Sequence, residues 1–223
     1  SQFFKAIQVL IISMGTIKNI VFDLGVVILN VDYSRTIDEF ARLGVQNIEQ
    51  LYSKSNQIPC FDQLEKGEIS PAAFCSAIRA YMPSETNDEL ILTAWNAMLG
   101  ELPVKRLEML GRVRQHYRLF LLSNTNEIHI ASYLKTLKQT HGLDNLSHVF
   151  EKEYYSHEVG MRKPNKEIFQ FVIDENRLEA SETVFVDDSI QHIKGAEKVG
   201  INAIHLDDSR TMLDLFESDG RLL

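Results

Sequence analysis

The chain has 223 residues, enough for one large or two small domains with a sizeable core. Its 44% hydrophobic and 24% charged content is that of a soluble globular protein. A formal net charge of −8 with no long basic block argues against nucleic acid or anionic membrane as partner, yet leaves room for a small phosphorylated metabolite.

Residues 1–13 read as an N-terminal extension with no assigned role, since Met14, Gly15 and Thr16 form a more natural start. The apolar, β-branched stretch from Ile20 to Leu29 then predicts a buried strand that ends on Asp23. A carboxylate there is either a turn residue or, at the carboxyl edge of a parallel sheet, the centre of a ligand site. Residues 32–99 predict a small all-helical insert. Ile37, Phe40, Ala41 and Leu43 share one helical face before Gly44. Ser70 and Pro71 open a second helix that carries Phe74, Ala77, Ile78 and Tyr81. A third helix starts near Thr86 and Asn87 and carries Leu90, Ala94 and Met98, with Trp95 assigned to the insert's core. Cys60 and Cys75 form no CxxC pair and fit a reduced, cytoplasmic protein. No apolar run reaches the roughly 18–20 residues of a membrane span.

From Pro103 onward strands and helices alternate. Val104, Leu107, Leu110 and Val113 mark a helix whose Lys105, Arg106, Arg112 and Arg114 are read as its solvated face. Residues 117–122, 183–186 and 201–206 predict strands, separated by helices through Ile128 to Leu137, Ile168 to Ile173 and Ile190 to Val199. The alternation predicts an α/β fold: a Rossmann-like parallel sheet built from residues 14–31 and 100–223, with residues 32–99 inserted.

Three buried strands thus end in polar groups: Asp23, Ser123 with Asn124, and Asp187 with Asp188. Crowded carboxylates repel one another unless a cation neutralises them, and an all-oxygen cluster with few ligands suits Mg²⁺. Ser123 and the backbone N–H groups after it, at a helix start, make an anion site. Lys163 adds a positive point charge to the same phosphate. His192 is read as a helix-surface residue, and the seven histidines show no zinc-binding spacing. Among Phe61, Lys66 and Trp95, the pattern singles out no substrate contact.

These segments resemble the four motifs of the haloacid dehalogenase superfamily. Phe22 to Val27 is similar to the first, Leu121 to Asn124 to the second, Gly160 to Pro164 to the third and Phe185 to Ser189 to the fourth. The helical insert is similar to the cap of the superfamily's phosphatase-rich branch. The resemblance implies a phosphate-monoester hydrolase of small phosphorylated metabolites such as sugar phosphates. It implies Asp23 as the nucleophile that forms an aspartyl-phosphate, and Mg²⁺ held by Asp23, the Gly25 carbonyl and Asp188, with Asp187 supporting its waters. Ser123, Asn124 and Lys163 would hold the phosphoryl oxygens.

Gly25 departs from the pattern, because the superfamily usually has there a second Asp that acts as acid and base, a role worth about 10²–10⁴-fold. A branch resembling sugar-1-phosphate phosphatases also carries Asp-Leu-Gly. The glycine predicts a preference for leaving groups that need little protonation, such as anomeric sugar oxygens and acyl phosphates. Two other readings stand beside it: a 2-haloacid dehalogenase, which has no use for the Asp187–Asp188 pair, and a non-catalytic phospholigand-binding protein.

Overall fold

The computed structural model describes residues 16–45, 48, 52, 58–83 and 86–223. The expected extension over residues 1–13 lies outside them. Strand β1 (Asn19–Phe22) is buried along its whole length. It runs parallel to β2 (Arg118–Ser123) on one side and β4 (Thr183–Asp187) on the other. β3 (Lys152–Tyr155) flanks β2 and β5 (Asn202–His205) flanks β4, giving the all-parallel order β3-β2-β1-β4-β5. Successive residues feed opposite faces: Ile20 and Phe22 join one core with Leu121 and Val186, while Val21 joins Phe120 and Phe185 in another. A sheet covered on both faces needs such near-continuous apolar strands.

Phe22 pairs with both Leu121 and Val186. This register brings Asp23, Ser123 and Asp187 to one edge, at the point where the strand order reverses around β1. β3 escapes the sequence reading because Lys152 and Glu153 occupy half of it, as an edge strand allows.

Between β1 and β2 the described residues form helices α1 (Tyr33–Arg42), α2 (Pro59–Glu65), α3 (Pro71–Arg79) and α4 (Asp88–Asn96), followed by α5 (Val104–Val113). Ser70 and Asn87 cap α3 and α4 by accepting from Ala73 N and Leu90 N. The first four pack around Phe40, Phe61, Phe74 and Trp95. The buried stripe of α4 is Ile91, Ala94 and Trp95; of the predicted face Ala94 is buried, Met98 is buried just past the helix end and Leu90 is exposed. Tyr81 likewise falls beyond α3 and is exposed.

The insert leaves and returns through two paired linkers. Val31 and Leu99 form an antiparallel bridge, Asn30 N donates to Glu101 O at 2.9 Å, and Gly100 N donates to Asn30 O at 2.8 Å. The loop after Asp23 is also fastened. Arg106 of α5, read from sequence as solvated, donates Nη1 to Val26 O and Ile28 O at 3.2 and 3.1 Å. It thereby holds Val26 at φ 64°, a strained conformation for a β-branched residue.

Candidate active site

The ends of β1 and β4 place one oxygen each from Asp23, Asp187 and Asp188 within 4.8 Å of one another. Three carboxylates that close need positive charge, and the fold supplies it from Lys163, whose side chain is fully buried. Its Nζ donates to Asp23 Oδ1 and Asp187 Oδ2, both at 2.7 Å, and to Leu122 O at 2.9 Å. All three ammonium protons are therefore engaged. Burial pushes the Asp23 carboxyl up to about 7, with Lys163 opposing and the charges of Asp187 and Asp188 adding to the rise. Burial also acts to raise Asp187, but the Lys163 charge and the His192 hydrogen bond outweigh it and hold this carboxyl well below its usual range. Burial would depress Lys163, yet the two carboxylates keep it raised and charged.

His192 is no plain surface residue. It sits in α9 (Ile190–Glu197), the helix after α8 (Lys166–Asn176), and its Nδ1 lies 3.0 Å from both oxygens of Asp187. Burial lowers its pKa against the pull of Asp187. The sequence reading missed it because the contact joins a strand end to the next helix turn, which apolar periodicity does not mark.

Ser123 closes β2 and Asn124 leads on into α6 (Glu127–His141), capped by Asn126, whose side chain accepts from His129 N at 3.0 Å. The Asn124 amide is spent on the Lys163 backbone: Nδ2 donates to Lys163 O and Oδ1 accepts from Lys163 N, both at 2.9 Å. Ser156, in the short helix α7 (Ser156–Val159), clamps the same loop by accepting from Thr125 N and donating to Thr125 O at 2.9 Å. Gly25 O, expected as a metal ligand, accepts from Val27 N at 2.7 Å and keeps a second lone pair.

Lys163 is seated by close backbone packing. A Cβ on Gly195 of α9 would meet Pro164 O at 2.4 Å. Gly195→Ala is expected to displace the Lys163–Pro164 segment and cost about 1–3 kcal/mol, read as a lower urea midpoint. An unchanged midpoint would show that the segment shifts freely.

Above the carboxylates lies a cavity of about 150 Å³. Its lining includes Ser123, Asn124 and Gly25 from the sheet edge and Tyr33, Glu65 and Trp95 from the insert. Arg162, next to Lys163 in sequence, joins the two halves: its guanidinium lies 2.6 Å from Asp62 and 2.9 Å from Glu65, both on α2. Lys66 pairs with Asp62 at 2.6 Å, and Phe61 packs inside the insert. Glu65, His129 and Arg162 escaped the sequence reading; only the place of Arg162 inside the third motif-like segment could have flagged it.

Residues 104–206 match the family model described as haloacid dehalogenase-like hydrolase. The chain is 32% identical over 184 residues to the D-ribitol-5-phosphate phosphatase of Bacteroides thetaiotaomicron, covering 82% of this chain and 89% of the relative. Among solved structures, an aspartate-to-alanine variant of a HAD family enzyme from the same organism, in complex with magnesium and inorganic phosphate, superposes with a TM-score of 0.85 at 36% identity. It covers 91% of this chain and 100% of that one. A HAD-like family hydrolase from Porphyromonas gingivalis superposes with a TM-score of 0.79 at 29% identity, covering 90% and 96%. Fold, strand-end carboxylates and relatives agree: the chain is a hydrolase of the haloacid dehalogenase-like family.

Proposed function

We propose that the protein is a Mg²⁺-dependent phosphate-monoester hydrolase acting on a small phosphorylated metabolite through an aspartyl-phosphate on Asp23. The observation that carries this reading is the trio Asp23, Asp187 and Asp188, gathered within 4.8 Å at the sheet edge, with one buried lysine bonded to Asp23 and Asp187. The donor set fits the metal. Hard oxygens close together suit Mg²⁺, and burial, with the charges of Asp187 and Asp188 adding to it, raises the Asp23 pKa beyond what Lys163 offsets. Asp23, the Gly25 carbonyl and Asp188 would hold the ion and Asp187 its waters; bound there, it supplies charge neutralisation between phosphate and carboxylates. The relative crystallised with magnesium and phosphate supports this assignment.

With Oδ1 of Asp23 fixed by Lys163, Oδ2 is the oxygen free to attack phosphorus. An Asp23 O–P bond forms as the ester O–P bond breaks, and the departing alkoxide takes its proton from solvent water. Water then attacks phosphorus, releasing inorganic phosphate and restoring Asp23. Ser123 Oγ and the backbone N–H groups at the start of α6 hold the phosphoryl oxygens. Lys163 orients the nucleophile and places its charge beside the transferring group, and Asn124 locks the Lys163 segment.

Gly25 offers no proton to the leaving group. The relative's name denotes a primary alkyl ester, which extends the expected substrates from anomeric and acyl phosphates to sugar and polyol phosphates generally. Free, buried Cys60 and Cys75 fit a reducing cytoplasm, and among the described residues no helix is long and apolar enough to cross a membrane.

The test is phosphate release from ribitol 5-phosphate, glucose 1-phosphate, acetyl phosphate and phenyl phosphate, with Mg²⁺ and with EDTA. Chelation is expected to lower turnover by about 10²-fold or more, with full return on adding Mg²⁺. Release that ignores EDTA, or none from any ester, would remove this reading.

A further inference from the structure

Gly25 gives the leaving group no hydrogen-bond donor, but the linker beside it leads to one. A Cβ on Gly25 would meet the Val31 side chain at 3.5 Å, an ordinary contact, so position 25 faces the chain where it enters the insert. That linker is pinned: Val31 bridges Leu99, and Asp32 N donates to Met98 O at 2.9 Å. Asp32 then caps α1, its carboxylate accepting from Ser34 N at 3.1 Å. Tyr33, the first residue of α1, is thereby fixed, and it lines the cavity together with Asp23, Gly25 and Asp188.

In-line displacement puts the ester oxygen across phosphorus from Asp23, on the insert's side of the cavity. From the insert, the side-chain donors lining the cavity are Tyr33, Tyr52 and Trp95. Their surroundings separate them. Burial pushes the ionisation of Tyr33 well above its ordinary range, and Tyr52 and the charges of Asp188, Asp23 and Glu65 add to the rise. On Tyr52, after burial, the charges that act are those of Glu65 and Arg162. Tyr33 therefore stands toward the strand-end carboxylates and Tyr52 toward Glu65. The Trp95 indole is covered by the His129 ring, stacked 4.6 Å from it, and edged by Phe61 and Phe74. Arg162, the cation nearest the insert, is engaged by Asp62 and Glu65.

We propose that the Tyr33 hydroxyl donates a hydrogen bond to the ester oxygen of the substrate as its bond to phosphorus breaks, steadying the charge that grows there. The proposal rests on the phosphatase reading and adds a catalytic residue to it. As the Asp23 O–P bond forms, the electron pair of the breaking bond stays on the ester oxygen. Solvent water supplies the proton, and Tyr33 keeps its own. A phenol that stays neutral beside three carboxylates suits this task, since it stabilises the departing oxygen without becoming a further anion in the site.

The test measures single-turnover release of the phenol from phenyl phosphate and from 4-nitrophenyl phosphate, in Mg²⁺, for the full chain and for Tyr33→Phe. The substitution removes one oxygen and keeps the ring that fills the site. It is expected to slow the phenyl ester by about 10- to 100-fold. The 4-nitrophenyl ester should slow by a clearly smaller factor, because its ring spreads the leaving charge without help. A purely structural role for Tyr33 would slow both alike. Equal slowing of the two esters, or no slowing of either, overturns the proposal while wild-type release leaves the phosphatase reading standing. No release from either ester by the wild-type chain removes both.

Discussion

Asp23→Asn is expected to lower phosphate release by about 10⁴-fold or more, because it removes the attacking oxygen while leaving the shape of the site intact. The same change is expected to stabilise the metal-free protein. In the unfolded chain Asp23 ionises near 3.8, in the fold near 7. Between these values the native state holds a proton that the unfolded state has released. Stability therefore falls as pH rises through the window, and the penalty, at most about 4 kcal/mol, is fully present above it. Urea melts in EDTA at pH 5 and pH 8 measure this directly. The difference in unfolding free energy between Asp23→Asn and wild type should grow toward pH 8. Equal curves at both values would mean that Asp23 is not under electrostatic stress, and the link between its burial and metal binding would fail.

Lys163→Met should act in the opposite sense on stability. It keeps the aliphatic volume but strips Asp23 and Asp187 of their shared cation, leaving two buried carboxylates uncompensated. Breaking such a pair from one side costs about 3–5 kcal/mol. The loss should be largest at pH 8 in EDTA and shrink as pH falls, because protonation relieves unpaired carboxylates. Mg²⁺ should restore part of it by standing in for the missing charge, though turnover stays lost without the group that orients Asp23. Thermal unfolding with and without Mg²⁺ at pH 6 and pH 8 checks all three. A variant as stable as wild type at pH 8 in EDTA would show that the carboxylates are hydrated rather than dependent on Lys163.

The strand-end residues were legible because each closes an apolar run, and a polar group at the end of a buried strand stands out against its neighbours. Lys163 was legible only through its motif. Nothing in its local sequence announces full burial, since the partners that make burial tolerable lie 140 and 24 positions away. Arg106, His192, Glu65 and Arg162 were hidden for the same reason: each owes its role to a contact the register creates, not to periodicity. In α4 the period was right and only the start of the stripe was off, Ile91 rather than Leu90 being buried. Leu90 suits a buried face as well as Ile91 does, and only the packing of the insert decides between them. β3 shows the limit from the other side, because an edge strand can carry Lys152 and Glu153 and lose its apolar signature.

The bridge between Val31 and Leu99 bears on how such a protein can be inherited. The strands that carry Asp23 and Ser123 are separated by a detour whose two ends are already neighbours, so the core closes over it as over a tight hairpin. Recombination that exchanges everything between Asp32 and Met98 leaves β1 registered against β2 and leaves the carboxylates and Lys163 where they are. What it exchanges is Glu65 and Trp95, which line the cavity beside the carboxylates. The carboxylates with their lysine and one wall of the cavity thus sit on separately replaceable stretches of one chain, and a lineage can keep the first while trading the second.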